Sequence, residues 1–257
     1  MQKALSIKSL FFTYPQANKY IFENFSLDVY KNEFIAILGP NGCGKTTLAK
    51  LMTGILSPKK GEIFLLGRQI SLLSRKQIAR SVSYLYQTLP QNIPFKVKDI
   101  VLMGRYSHKN LMEEYNESDY DSAEHFIKLL DLAHYKEEYF DNLSGGEKRR
   151  VMLAQNLVQE PEILLLDEPE AYIDLSHKIE IYNFLNILHK DYGKTIIIIS
   201  HDLNLAFKYC SRFLFLNSGK LINDCTSADN VTKSLIKECF NIDINIMDIN
   251  NHPNIIY

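Results

Sequence analysis

Gly39-Pro-Asn-Gly-Cys-Gly-Lys-Thr-Thr47 stands directly behind the apolar run Phe34-Ile-Ala-Ile-Leu38. The stretch fits G-x-x-x-x-G-K-[ST] in the context that pattern needs, with a buried strand before it and a helix opening after it. A turn made of Gly39, Pro40, Asn41, Gly42, Cys43 and Gly44 lets backbone N–H groups converge on phosphate oxygens. The helix that begins at Lys45, Thr46 and Thr47 adds the partial positive charge of its N-terminus. Lys45 can reach β- and γ-phosphates, and the Thr46 hydroxyl can ligate Mg²⁺. A chance glycine-rich turn would lack the flanking strand and helix.

Outward from this cradle, the helix is predicted over Lys45–Met52, with Gly54 placed to end it. Upstream, residues 4–29 alternate loosely and carry aromatics, reading as short strands. Downstream, Lys60-Gly61 reads as the punctuation of a hairpin leading into EIFLLG, and residues 81–86 as another strand. Residues 99–157 turn helical and more polar. Within them Tyr120, Ala123, Phe126, Ile127 and Leu130 recur at helical spacing. Two apolar runs follow, EILLLDE ending at Glu168 and KTIIIISHD ending at Asp202. Apolar strands of this kind alternating with helices predict an α/β fold with a mainly parallel sheet. The tail from Ser227 offers a short helix, SLIKECF, and weak strands. No repeat or low-complexity linker interrupts residues 1–257, so one continuous domain is expected.

Composition narrows the function. The chain has 257 residues, 46% apolar, with a net charge of -1. That balance excludes a nucleic-acid glove and a polybasic membrane anchor. The N-terminus lacks a signal-peptide pattern, and the apolar runs are far shorter than the ~20 residues that cross a bilayer. A protein soluble by itself, reaching any membrane through a partner, is expected. Cys43, Cys210, Cys225 and Cys239 show no metal-type spacing, which fits a reduced cytosolic compartment. Cys43 lies inside the cradle, where Lys45 and the helix end are expected to favour its thiolate; the plainer reading is an inert filler.

Ile163-Leu-Leu-Leu-Asp167-Glu168 is a buried strand ending in two acids. Beside a phosphate turn, Asp167 is placed to hold Mg²⁺ directly or through water. Glu168 is placed to polarise an attacking water as general base.

Leu143-Ser-Gly-Gly-Glu147, followed by the basic helix KRRVMLAQNL, completes the set. With GPNGCGKTT and ILLLDEP in this order, the chain resembles an ABC transporter ATPase over nearly its whole length. The resemblance implies a P-loop NTPase fold with an N-terminal antiparallel β subdomain and a helical subdomain inserted at about residues 88–157. It implies that Tyr14, in FFTYP, stacks on adenine. It also implies that Gln87, in SYLYQ, senses metal and permease, and that His201, in SHD, contacts the γ-phosphate. Asp174, in AYIDL, matches the aspartate of the loop between two subunits. Ser144, Gly145 and Gly146, with Glu147 beside them, would reach the nucleotide held by the opposite subunit. The implied assembly is a homodimer with ATP and Mg²⁺ at its interface, beneath two membrane-spanning permease subunits on the cytoplasmic face of the membrane. An extracytoplasmic binding protein would take part indirectly.

Three positions depart from the family pattern. Asn32 replaces the usual glycine before the FIAIL strand, and Asn tolerates a left-handed backbone. Glu147 stands where Gln is commoner. Glu170 follows Pro169 where a small residue is usual, adding a negative charge near the expected dimer seam.

VKDIVLMGRYSH, HDLNLA and the short tail resemble the subgroup serving importers of iron-siderophore, haem, cobalamin and molybdate type, which favours a metal-chelate cargo. A soluble ABC ATPase of DNA repair or translation is disfavoured, since no long coiled coil, zinc module or second ATPase unit is present. Retention of Lys45, Asp167, Glu168 and His201 argues against a non-hydrolysing regulator, and LSGGE against a P-loop kinase.

Overall fold

The computed structural model describes residues 2–256 apart from 16, 18, 111, 172, 250 and 251. Alternating aromatic and aliphatic residues form β1 (Lys3–Phe12) and β2 (Phe22–Tyr30), which pair antiparallel. Asn32 then takes the left-handed turn expected of it, with φ 60°, and donates its N–H to Thr195 Oγ1 at 3.0 Å. The chain enters β3 (Phe34–Leu38), buried throughout, and continues into α1 (Lys45–Met52).

β4 (Lys60–Leu65) returns to the other edge of β1, and β5 (Arg68–Gln69) pairs with β4, giving the order β2-β1-β4-β5. Here a sequence expectation fails. Lys60-Gly61 opens β4 and turns no hairpin; the turn lies at Leu66-Gly67, between β4 and β5. Gly61, with φ 88°, is needed because any side chain there would strike the backbone of Ser9 and Lys8 in β1.

After α2 (Arg75–Ser81) comes β6 (Val82–Leu85), the strand expected at 81–86. Three helices fill the next region: α3 (Val97–Met103), α4 (Glu117–Leu129) and α5 (Gly145–Val158). α4 starts on a capping box between Asn116 and Asp119. The Asp119 carboxylate is ion-paired with Lys109 and accepts Arg105 Nε–H at 2.9 Å. Burial alone would push that carboxyl up, but Lys109, the Asn116 N–H and Arg105 together bring it down to about 2.

The second sheet is completed by β7 (Ile163–Asp167), α6 (Leu175–Lys190), β8 (Thr195–Ile199), α7 (Leu203–Tyr209), β9 (Arg212–Asn217) and β10 (Lys220–Cys225). Its order is β10-β9-β3-β8-β7-β6, parallel from β9 through β6, with β10 antiparallel at the edge. Residues of β3 divide between two cores. Phe34, Ala36 and Leu38 pack with the helical side, while Ile35 and Ile37 pack with α1 and the first sheet. Both faces of β3, β7 and β8 are thereby covered, which is why these strands read as continuous apolar runs.

α8 (Lys233–Phe240) and a terminal hairpin, β11 (Asn245–Ile249) with β12 (His252–Ile256), close the described chain. A side chain of α7, Asn204, bonds the hairpin through both groups of its amide. Asn204 Nδ2 donates to Ile255 O at 3.2 Å, and its Oδ1 accepts the Ile255 N–H at 2.7 Å. Among the described residues, no helix is long and apolar enough to cross a membrane.

Candidate active site

Parallel strands deliver their carboxyl ends to one edge of the sheet, and open α/β sheets bind ligands there. Gly39 leaves β3 at that edge, Gln87 follows β6, Asp167 and Glu168 end β7, and His201 follows β8.

The cradle is tightly built. Gly39, at φ 157°, admits no side chain: a methyl would overlap the Leu216 carbonyl and lie 2.9 Å from Cys43 Sγ. Gly44 caps α1 in a left-handed conformation with no side-chain cap, leaving the first N–H groups of the helix for a ligand. Lys45 is buried and curls back, donating to Gly39 O at 2.7 Å and Pro40 O at 3.0 Å. Asn41 and Gly42 form the exposed lip. Tyr14 stands at the other side, its hydroxyl 3.2 Å from Thr47 Oγ1 and its ring edge-on to Phe12.

At Cys43 the structure favours the plainer of the two readings, an inert filler. It is buried, and burial pushes its thiol up; the pull of Lys45 toward the thiolate is smaller. Its carbonyl accepts the Gly219 N–H at 2.9 Å, so Cys43 packs the floor of the cradle and exposes no reactive sulfur.

Asp167 is fully buried. Its Oδ2 accepts the Tyr84 hydroxyl at 2.9 Å, while Oδ1 has no hydrogen-bond partner. Burial pushes this carboxyl up; Tyr84, Thr46 and Lys45 oppose the push. A partnerless carboxylate oxygen beside the Thr46 hydroxyl suits a hard cation such as Mg²⁺. That ion uses one or two protein oxygens and completes its shell with water and phosphate. Among the described residues, no cluster of three or more His, Cys, Asp or Glu is placed to hold a metal ion.

Glu168 is gripped from two sides. Gln87 Nε2 donates to its Oε2 at 2.6 Å, and His201 Nε2 lies 2.7 Å from its Oε1. Its backbone is left-handed, at φ 49°. For a non-glycine residue this costs about 1 kcal/mol or more, and such strain collects at functional sites.

Ser144-Gly-Gly-Glu147 opens α5. Ser144 Oγ accepts the Glu147 N–H at 3.4 Å, and Glu147 Oε2 accepts the Ser144 N–H at 2.8 Å. Glu147 is thus the acid of a capping box, a role Gln fills equally. Gly145 faces open space, and Gly146 faces the His177 ring. Asp174 caps α6 through the His177 N–H at 3.0 Å and also meets His177 Nδ1. The structure therefore gathers Gln87, Asp167, Glu168 and His201 beside Lys45 and Thr46. Among the described residues, Ser144, Gly145, Gly146, Glu147 and Asp174 make no hydrogen bond to the cradle of their own chain, and they lie at helix N-termini.

Sequence reading missed several residues. Glu170, expected to add a negative charge near the dimer seam, is 5% exposed in the single chain, and burial pushes its carboxyl up. Tyr84, Arg149 and Ser200 also touch the site from beneath. Arg149 carried one signal, its four-residue spacing from the buried Leu153 on α5.

Known proteins resemble the chain in sequence and in shape. The ABC transporter family model matches residues 22–171. The iron(3+)-hydroxamate import ATP-binding protein FhuC of Bacillus subtilis is 34% identical, over 90% of this chain and 86% of its own. The ferric enterobactin transport ATP-binding protein FepC of Escherichia coli is 32% identical, over 88% and 83%. A metal-chelate type ABC transporter solved in an inward-facing conformation superposes with a TM-score of 0.85 at 26% identity, covering 100% of this chain and 97% of that one. On the motifs, the fold and these likenesses together, the chain belongs to the ABC transporter family and carries its ATPase domain.

Proposed function

We propose that two copies of this chain hydrolyse ATP to drive an importer of an iron-siderophore or related metal chelate. The observation that carries the catalytic part is the convergence of Gln87 and His201 on Glu168, beside a phosphate cradle. Residues 39–47 hold the phosphates, with Lys45 turning from its own loop carbonyls onto the β- and γ-phosphates. Tyr14 stacks on adenine. Thr46, Asp167 and Gln87 would hold Mg²⁺, which would supply charge neutralisation on the phosphates. Glu168 orients and deprotonates the attacking water. His201 turns toward the γ-phosphate.

Ser144, Gly145, Gly146 and Glu147 of one copy close over the nucleotide of the other, with Asp174 at the seam. The exposed N-terminus of α5 supports this reading: the capping box takes the Ser144 and Glu147 N–H groups, and those of Gly145 and Gly146 are left to suit an anion. Closure and release then switch two permease subunits that dock on the helical region at about residues 88–157, on the cytoplasmic face of the membrane. The named import functions of the relatives support the chelate cargo. Purification from the native membrane tests the reading. A permease and a chelate-binding protein should co-purify, and the complex should hydrolyse ATP faster with the loaded binding protein. A chain that co-purifies with no permease, or a complex indifferent to every ferric chelate, overturns it.

A further inference from the structure

Arg149 and Glu170 are ionisable, 2% and 5% exposed, and idle in the mechanism above. A buried guanidinium is costly unless its donors are met. Arg149, on α5, meets them with backbone carbonyls alone. Nε donates to Pro169 O at 3.0 Å, and Nη1 donates to Tyr86 O at 2.7 Å and Gln87 O at 3.1 Å. Nη2 reaches Asp167 O at 3.5 Å and also donates to Glu168 O. These carbonyls belong to the two segments that carry Gln87 and Glu168.

The left-handed peptide of Glu168 must be held against its own preference. Arg149 holds its carbonyl, and Ile199 O accepts its N–H at 2.9 Å. Glu170 extends the grip to the third segment. Its Oε1 accepts the Ser200 hydroxyl at 2.5 Å, and Ser200 Oγ accepts Tyr182 O–H at 3.1 Å and Asp202 N–H at 3.0 Å. Ser200 immediately precedes His201. Glu170 Oε2 is buried without a hydrogen-bond partner, and Glu170 leads the carboxylates whose charge reaches Arg149.

We propose that Arg149 and Glu170 are a buried positioning pair for hydrolysis, clamping the segments of Gln87, Glu168 and His201 into one frame. Neither touches the reacting atoms. The inference rests on the ATPase reading, and hydrolysis by the wild-type chain tests that reading separately.

The full-length chain and its variants are compared for kcat and KM for ATP, for binding of a fluorescent ATP analogue, and for thermal unfolding. Glu170→Leu removes the acceptor and Arg149→Met removes the donors. Each should lower kcat about tenfold or more while KM and analogue binding stay within about twofold, the mark of a group acting on the transition state. Glu170→Gln keeps an acceptor and should restore most of the turnover. The double variant Arg149→Met, Glu170→Leu should lose less than the product of the two single losses, because each single change strands one buried ion. Should either apolar variant fail to fold, Arg149→Lys carries the test. Its ammonium keeps the charge but cannot span five carbonyls, so kcat should again fall at constant KM. Folded variants with unchanged kcat overturn the proposal, as does a kcat loss matched by an equal loss of nucleotide binding.

Discussion

His201 Nε2 lies 2.7 Å from Glu168 Oε1, and Gln87 occupies the other oxygen of the same carboxylate. Each oxygen of the proposed base is thus held by a protein group, and the side chain keeps 16% exposure through which water can reach it. Glu168→Gln keeps the shape, replaces one of the two contacted oxygens with an amide donor, and cannot take a proton. Turnover should fall by about a hundredfold or more, with ATP binding retained and an ATP-bound dimer emerging on gel filtration. Near-normal turnover would remove Glu168 from the role of base.

Ser144 is both a helix cap and the first residue of the loop proposed to reach the opposite nucleotide. Ser144→Arg should cost about 1 kcal/mol of stability through the lost cap. It should leave analogue binding to the monomer intact and abolish the ATP-bound dimer in a Glu168→Gln background. Dimers of normal mass by light scattering would refute a composite site.

Tyr84 donates to Asp167 Oδ2 at 2.9 Å and opposes the upward push of burial on that carboxyl. A hydrogen bond to a charged group contributes about 1.5–3 kcal/mol, so Tyr84→Phe should raise the Mg²⁺ concentration for half-maximal hydrolysis about tenfold or more. An unchanged Mg²⁺ titration would show that Tyr84 does not orient the carboxylate.

Asp119 gives a stability test. Its carboxyl falls from 3.8 to about 2 in the folded chain, and its side chain is 3% exposed. A depressed carboxyl stabilises above its unfolded value and loses that contribution as pH falls through the folded one. Its share is about 2 kcal/mol at neutral pH, lost between about pH 4 and pH 2. Asp119→Asn should lower the urea-unfolding free energy by at least that much at pH 7, with a gap that narrows below pH 4. A gap independent of pH would mean that the ion pairs with Lys109 and Arg105 do not set it.

The central strands and the residues at their ends were readable from sequence because their physics is local. β3, β7 and β8 are covered on both faces, so each appears as an unbroken apolar run with a functional residue behind it. What escaped depends on distant segments. Arg149 sits in Lys148-Arg-Arg150, which looks like a solvated basic face, and only carbonyls of β6 and β7 flanks make its burial tolerable. Glu170 looks like a surface acid until Ser200 and Tyr182 are brought beneath it. Gly61 carries the letter of a turn but serves a close approach of β4 to β1. Of the two readings open for Cys43, burial favours the inert filler, and burial is what the sequence does not display.

The Asn204 bridge to Ile255 has a practical consequence. Asn204 lies three residues after His201, so the last strand hangs on the helix that follows the switch turn. A purification handle fused behind this hairpin would tug on that helix whenever it was bound to resin or surface. Handles belong at the other terminus, ahead of β1, and a sensor meant to report His201 movement belongs on β12.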